Sequence, residues 1–444
     1  MGVRTWAAGR PFGRRGLLTG IAALGGASLL AGCGGSVFAG GNRVRYWNLF
    51  GGGDGARMLE MEENFRKENP EITLEAVTLS WGAPYYTKLA MAAAGGRAPE
   101  VAALHLSRLP GYASGLTDPF DLELLAEFGV RQEDFPEVLW ESATIDGKVY
   151  AIPLDTHPLV FYVNREHARK ADLLASPDEL VRIDSPRAFL EALDKLAEAN
   201  EGALPLGTGN DPSTWWRYFW TFYRQLGGDI VLPVGETVQY DRDKMREVLE
   251  FLIEVLDGKR ARPTMDLGAA IAGFTDGKVS TFLNGNWELP TLVTAQEERG
   301  ELDFTMVQVP AVFGSEKLAW ADSHCLVLPH QNNRDPEADR RAYRLIASLL
   351  KQGMVWAGGG HVPAYLPVQR SEEYLAAKPQ ANYRKAAELA QLDPSAWFGG
   401  AGSDFHNQVG SALDAVVTKQ LTPEQGMRQF ENAMNKLLRT PSPV

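Results

Sequence analysis

Cysteine is scarce in this sequence, and motifs that hold metals or activate nucleophiles are missing from it. Only Cys33 and Cys325 occur among 444 residues, so packing must supply the stability that small disulfide-rich domains take from cross-links. The seven histidines are scattered, and none stands in an H-E-x-x-H or C-x-x-C context. A P-loop and a catalytic serine elbow are also missing. These absences predict a protein with no metal and no cofactor.

Acidic residues are absent before Asp54, and the basic residues at the start of the chain are Arg4, Arg10, Arg14 and Arg15. An apolar run rich in glycine and alanine follows at residues 17–31. This run is too short to span a bilayer comfortably. A basic segment followed by a short apolar run is typical of an export signal.

The apolar run ends in Leu30-Ala31-Gly32-Cys33, which resembles the lipobox of bacterial lipoproteins. The resemblance implies a signal peptide at residues 1–32, a diacylglycerol with acyl chains such as palmitate on Cys33, and a tether at residues 33–42. Two acyl chains make such an anchor durable. Arg14-Arg15 also resembles a twin-arginine signal, so the Sec and twin-arginine routes both stay open. An uncleaved signal anchor is the alternative interpretation.

Lipidation of Cys33 would leave Cys325 without an intramolecular partner, although the compartment is oxidising. Removal of residues 1–32 takes away four arginines and no acidic residue, which makes the formal charge of −12 more negative by four. A strongly acidic chain is a poor ligand for nucleic acid, so we expect no such partner.

The mature chain begins with the pattern of a βαβ unit. Residues 44–49 have strand composition, glycines interrupt them, and Met58, Met61 and Phe65 recur at helical spacing before a second strand at residues 72–78. Such a unit predicts an α/β fold with ligand groups at the strand ends. Helix starts are predicted at Pro186 and at the capping box of residues 422–425.

Motifs from Tyr46 to the last helix together resemble the family 1 extracellular solute-binding proteins and cover nearly the whole mature chain. The motifs are Trp47-Asn48 with Gly53-Asp54-Gly55, residues 99–116, residues 146–164 and residues 274–287. The resemblance implies an α/β, two-lobed periplasmic-binding-protein-like fold with a hinge and an interlobe cleft.

The same resemblance implies how the chain divides between the lobes. The N-terminal lobe is expected at residues 43–155 plus 311–360, and the C-terminal lobe at residues 156–310 plus 361–444. Crossings between the lobes are expected near residues 153–160, 309–313 and 358–367.

A sugar has a weakly apolar face of C–H groups and a rim of hydroxyls, so its site needs aromatic platforms and planar hydrogen-bonding side chains. Trp287 is the first choice for a platform, since the matching family motif places a ligand tryptophan there, whereas about half of the tryptophans are expected to be core residues. The predicted ligand-binding residues are Asp54, Trp81, His105, Arg108, Asp155, His157, Trp215, Asn286, Trp287, Glu288, Asp322 and His361.

Two positions depart from the maltose-binding pattern. Ser107 stands where the family has an aspartate, directly before Arg108, which matches a sugar-contacting arginine of the family. His157 stands where the maltose-binding member of the family has an acidic ligand residue. Asp54 matches an aspartate that contacts sugar, and a role as a helix cap is equally compatible with its place.

Two enzyme classes are alternatives. A nucleotide-dependent enzyme is suggested by Gly51, Gly53 and Ala56 in a G-x-G-x-x-A pattern, but Asp54 would repel a pyrophosphate in that loop. A glycoside-acting enzyme is suggested by acidic residues that can pair as acid and base across a cleft.

The sequence therefore predicts a non-enzymatic, monomeric substrate-binding lipoprotein of an ABC importer. Its expected partners are a mono- or oligosaccharide, the permease subunits of the importer and, through the lipid anchor, the outer face of the cell membrane. Closure of the lobes around the sugar is the signal that the transporter is expected to detect.

Overall fold

The computed structural model describes residues 41–51, 53–113, 115–300 and 302–442. The predicted signal peptide, the lipidation site Cys33 and the tether as far as residue 40 lie outside these residues. Among the described helices, none is both long enough and apolar enough to cross a membrane.

The strands are numbered in chain order. They are β1 Arg43–Asn48, β2 Thr73–Thr78, β3 Val101–His105, β4 Thr117–Asp118, β5 Thr144–Ile145, β6 Lys148–Val149, β7 Ala151–Pro153, β8 Asp155–Asn164, β9 Leu174–Ser176, β10 Glu179–Leu180, β11 Leu204–Gly207, β12 Ile230–Val231, β13 Gln239–Tyr240, β14 Val279–Gly285, β15 Phe304–Gln308, β16 Ala319–Asp322, β17 His324–Pro329, β18 Val362–Pro363 and β19 Ala390–Gln391.

The helices are numbered in the same way. They are α1 Gly53–Glu68, α2 Ala83–Ala94, α3 Leu122–Glu127, α4 Glu137–Ser142, α5 Arg165–Lys170, α6 Pro186–Ala199, α7 Pro212–Gln225, α8 Arg242–Val255, α9 Leu267–Thr275, α10 Leu289–Arg299, α11 Pro336–Lys351, α12 Gly353–Ala357, α13 Leu366–Gln369, α14 Glu372–Ala376, α15 Lys385–Glu388, α16 Asp404–Val417 and α17 Pro423–Leu438.

The first sheet joins the N-terminal strands to one later strand. Its order is β2-β1-β3-β17-β4, and β7 also pairs with β17. Strand β1 is parallel to β2 and β3, whereas β17 is antiparallel to β3. The predicted βαβ unit is confirmed and forms one edge of this sheet. The core of the sheet draws on residues 44–154 and 325–365.

The second sheet is organised around β8. Its order is β11-β14-β8-β16-β19, and β15 and β18 also pair with β8. All ten residues of β8 are buried. A strand that is covered on both faces needs an unbroken apolar run, which residues 159–163 provide. Along β8, β18 pairs with its first residues and β14 and β15 with its later ones.

Local capping signals in the sequence determine where two helices of the second lobe begin. The Ser185 side chain accepts a hydrogen bond from the backbone N–H of Ala188, and Pro186 occupies the first position of α6. Thr422 and Gln425 form a reciprocal capping box at the start of α17. Both predicted starts are confirmed.

Within the described residues, the chain passes between the two sheets at three places. Strand β7 ends at Pro153 and β8 begins at Asp155; β16 gives way to β17 at Ser323; and α12 leads into β18. A crossing is predicted at residues 309–313, but residues 319–322 still belong to the second sheet because β16 pairs with β8. The predicted boundaries of the lobes stay a prediction.

Candidate functional site

The passages bring together side chains that are far apart in the sequence. The register of β17 against β3 places His324 opposite His105. The register of β16 against β8 places Asp322 opposite His157. The imidazoles of His157 and His324 consequently lie 4.3 Å apart between ring centroids. Strand pairing therefore brings several titratable side chains close together where the two sheets meet.

The carboxylate of Asp155 is at the centre of these side chains. It is fully buried, and it accepts hydrogen bonds from Nδ1 of His157 at 3.0 Å, Nδ1 of His324 at 2.8 Å and Nε1 of Trp356 at 2.7 Å. The backbone N–H of His324 donates to the same carboxylate at 2.9 Å. Nδ1 of His361 lies 3.3 Å from Oδ2 of Asp155. We call Asp155, His157, His324 and His361 the Asp155 cluster.

Charge within the Asp155 cluster is shared unequally. Burial opposes the ionisation of Asp155, but the surrounding imidazoles outweigh burial and hold its pKa well below the ordinary value. Burial would lower the pKa of His324, yet the nearby Asp155 carboxylate outweighs it and raises that pKa. Burial lowers the pKa of His157 to about 3 and that of His361 to about 4, with a further contribution from His324 in each case. These directions favour an ion pair between Asp155 and His324, beside two imidazoles that are uncharged at neutral pH.

A second group forms around Asp322. Its carboxylate accepts a hydrogen bond from the backbone N–H of Ser107 at 3.1 Å and another from the Ser107 hydroxyl. Burial, reinforced by the charge of Asp393, raises the pKa of Asp322 to about 7. One ligand-capable atom each from Asp322, His105 and His157 lies within 4.8 Å of the others. Ser107, the departure from the family motif, is thus a donor to a buried acid.

The first sheet contributes an aromatic and cationic side to the site. The hydroxyl of Tyr86 lies 2.7 Å from Nδ1 of His105. The guanidinium of Arg108 lies over the ring of Tyr86, 4.6 Å from its centroid, and donates to the carbonyl of Gly399 at 3.2 Å. Trp81 is 47% exposed, with its ring 6.4 Å from that of His105. These side chains leave an exposed indole next to the buried histidines.

The second sheet contributes a pair of tryptophans and an arginine. The rings of Trp287 and Trp320 meet edge to face with centroids 6.3 Å apart. The guanidinium of Arg217 lies 5.0 Å from the ring of Trp287 and 4.6 Å from that of Trp320. His157 meets Trp287 at 5.8 Å. Trp287 remains partly exposed, so one part of its surface is open to solvent.

Acidic and amide groups flank the other side of the Asp155 cluster. Asp54, in the first turn of α1, has its Oδ2 atom 3.9 Å from Nε2 of His361. Burial and the charge of Asp54 together raise the pKa of Glu288. Asn286 is buried and donates to the carbonyl of Gly360 at 2.8 Å. These residues form a polar border beside the histidines.

Trp215 is the predicted ligand residue that the structure does not bring to this place. It is 1% exposed, packs in the core of the second lobe, and its indole donates to Asp414 at 3.0 Å. Trp215 and its neighbour Trp216 both lie in α7, a helix that is buried over most of its surface. Burial on nearly every side explains why the indole of Trp215 packs as a core side chain.

The sequence did not single out three residues that the structure places here, namely Tyr86, Arg217 and His324. The signal for His324 is the pairing of β17 with β3, which a single sequence does not display. The expectation of no metal rested on the spacing of residues in the sequence, whereas in the structure four of the seven histidines lie close together. Among the residues that the structure describes, two groups each have one ligand-capable atom per residue within 4.8 Å of the others.

Comparison with known proteins agrees with this architecture. A family model described as bacterial extracellular solute-binding protein matches residues 60–380, and the chain therefore belongs to this family. The GacH receptor of Streptomyces glaucescens, solved unliganded and with acarbose, superposes with a TM-score of 0.73 at 20% identity, over 89% of this chain and 98% of that chain. No protein with a curated description matches the sequence significantly.

Two further solved structures share the fold. The cyclic α-maltosyl-1,6-maltose binding protein of Arthrobacter globiformis has a TM-score of 0.70 at 17% identity, over 90% of this chain and 100% of that chain. Maltose-bound MalE3 of T. maritima has a TM-score of 0.72 at 17% identity, over 89% of this chain and 99% of that chain. The predicted α/β, two-lobed periplasmic-binding-protein-like fold and the predicted family are confirmed. The protein is a solute receptor, and its family places it outside the cytoplasm.

Proposed function

We propose that the solute is a carbohydrate, held between the two lobes and delivered to the permease of an ABC importer. The structural neighbours named above bind acarbose, maltose and a cyclic maltosyl-maltose. Their identity to this chain is too low to transfer a ligand, so the proposal depends on the side chains of the site.

The environment of Trp287 is the observation that carries the proposal. Its indole is partly exposed, is held edge to face by Trp320, and lies beside the guanidinium of Arg217 and the imidazole of His157. A fixed aromatic face next to planar hydrogen-bonding groups matches the apolar face and hydroxyl rim of a sugar ring. Tryptophan positioned in this way suits stacking better than the buried Trp215 does.

Both lobes supply candidate contacts. Arg108 and Trp81 follow strands of the first sheet, whereas Trp287 and Glu288 follow β14 of the second. A ligand that contacts both lobes favours the closed form by the difference in its affinity for the closed and open forms. Closure would then be the state that the permease recognises.

The residues around Arg108 and His157 favour a sugar other than maltose. Ser107 replaces the family's aspartate and donates to Asp322, while His157 replaces an acidic ligand residue and is bonded to Asp155. Two carboxylates that would accept sugar hydroxyls in the maltose pattern are therefore replaced by a hydroxyl and an imidazole.

The proposal includes the predicted anchorage and partners. The protein would be exported by the Sec or the twin-arginine route, and Cys33 would carry the lipid after removal of residues 1–32. The mature protein would act as a monomer, together with a permease pair and its ATPases. We propose binding without catalysis, because the family to which the chain belongs is one of solute-binding proteins. The division of the chain into two lobes is part of the same proposal, with the second crossing placed at Ser323, where β16 gives way to β17, instead of at residues 309–313.

A thermal-shift screen of the mature protein against mono-, di- and oligosaccharides tests the ligand class. We expect one group of sugars to raise the melting temperature and to bind with one site per chain in calorimetry. A panel in which no sugar has an effect, while another class of solute does, would refute the carbohydrate assignment. Release of free reducing ends from an oligosaccharide would instead identify an enzyme.

A further inference from the structure

The Asp155 cluster has the composition of a transition-metal site. It offers one carboxylate and three imidazoles, and one ligand-capable atom from each lies within 4.8 Å of all the others. Imidazole nitrogens with a carboxylate oxygen suit zinc, copper, nickel or cobalt, whereas magnesium and calcium prefer oxygen ligands alone. The donor set therefore favours a divalent transition metal.

The distances around Asp155 match those between the ligands of one ion. Ligand atoms in a tetrahedral zinc site lie about 3.3 Å apart, because each is about 2.0–2.1 Å from the ion. Nδ1 of His324 and Nδ1 of His361 lie 2.8 and 3.3 Å from Oδ2 of Asp155, and Nδ1 of His157 lies 3.0 Å from Oδ1. One ligand-capable nitrogen from each of the three imidazoles lies within 4.8 Å of those of the other two.

His361 adds an independent indication. Both of its ring nitrogens are buried without a hydrogen-bond partner among the described residues. Its Nδ1 atom lies 3.3 Å from Oδ2 of Asp155 but does not have the geometry of a hydrogen bond to it. Burying a polar atom without a partner is unfavourable, and coordination of a metal would give Nδ1 a partner.

The surroundings hold these ligands as a metal site requires. Nε1 of Trp356 and the backbone N–H of His324 both donate to the carboxylate of Asp155. The indole of Trp356 also stacks on the imidazole of His361. Partners that orient the ligands and an apolar cover are characteristic of protein metal sites.

We propose that one divalent transition-metal ion of the zinc type binds to the Asp155 cluster, with ligands from Asp155, His157, His324 and His361, and that protons on the coordinating nitrogens are released to solvent or moved to the other ring nitrogen. The group of Asp322, His105 and His157 shares His157 and has one ligand fewer, so a single ion uses the four-ligand set. These four ligands lie on all three chain passages, and the ion would fasten the passages to one another. The inference goes beyond carbohydrate binding and does not depend on it.

The test uses the mature protein, purified without a polyhistidine tag and stripped of metal with EDTA. Zn²⁺ binding is measured by calorimetry, and Co²⁺ serves as the spectroscopic probe of ligand number. We expect one Zn²⁺ per chain and the visible absorption bands of tetrahedral Co²⁺. Sugar binding by the stripped protein is measured in parallel, so that failure of either proposal is recognised separately.

Variants locate the ion. Trp356→Phe removes only a partner that orients the Asp155 carboxylate, and it should weaken Zn²⁺ binding by about 10–100-fold. His361→Gln removes a ligand itself, and it should weaken Zn²⁺ binding by more than about 100-fold. His330→Gln is the matched control. The imidazole of His330 lies outside the Asp155 cluster, with its Nδ1 atom 2.7 Å from Oδ1 of Asp118. If His361→Gln does not fold by circular dichroism, His157→Gln replaces it. Lack of saturable Zn²⁺ binding, or equal binding by the His361 and His330 variants, overturns the proposal.

Discussion

The indole of Trp356 lies parallel to the imidazole of His361, with 4.6 Å between ring centroids and 8° between the ring planes. Trp356 belongs to the core of the first sheet, whereas His361 leads into β18 of the second. The stacked pair therefore links the packing of one lobe to the residues at the meeting point of both.

Substitution of Trp215 by Phe should lower stability and leave the ligand site intact. The indole of Trp215 is buried and donates to Asp414, so Trp215→Phe loses that bond and some packing, at about 1–3 kcal/mol. Urea unfolding measures the loss, and calorimetry with the best sugar from the panel measures affinity. A marked fall in affinity would return Trp215 to the ligand site.

Gly360 should tolerate alanine much less well than another glycine of the same backbone conformation. Gly360 has φ of +94°, and an added Cβ would overlap the backbone carbonyl of Asn286. Gly202 has φ of +84° but open space around it, so Gly202→Ala carries only the backbone strain of about 1–2 kcal/mol. Because of this overlap, Gly360→Ala should lower the free energy of unfolding by about 1–3 kcal/mol more than Gly202→Ala does, as measured by urea unfolding. Equal effects of the two substitutions would show that the passage is loosely packed.

Glu62 should destabilise the protein at neutral and alkaline pH. Burial raises its pKa to about 7, although Arg66 at 3.6 Å partly opposes this. Between the ordinary value of 4.5 and about 7, the folded protein holds the proton more tightly than the unfolded chain. Stability is therefore lost as pH rises through this window and stays low above it.

Glu62→Gln keeps an acceptor for Asn48 and removes the charge. It should raise the free energy of unfolding at pH 8 by about 1–2 kcal/mol, once solvent screening is allowed for. The gain should disappear below about pH 4.5, where both proteins are uncharged at this position. Denaturant unfolding across this pH range measures it, with Glu63→Gln as the exposed neighbouring control. A gain that does not vary with pH would assign the effect to packing.

The sequence predicts the fold better than it predicts the site. The βαβ unit, the caps of α6 and α17 and the family motifs are local patterns, and each appears in the structure where the sequence places it. The convergence of His105 with His324 depends instead on the register of β17 against β3, a contact between distant segments. The burial of Trp215 likewise depends on what packs around α7.

The central claim is that a sugar stacks on Trp287 between the two lobes. Calorimetric titration of the wild type, Trp287→Ala and Trp215→Phe with the same sugar tests it most directly. Loss of the platform should remove at least about 1.4 kcal/mol, a tenfold weakening, while the Trp215 variant binds as the wild type does. Unchanged affinity in a folded Trp287→Ala protein would contradict the account.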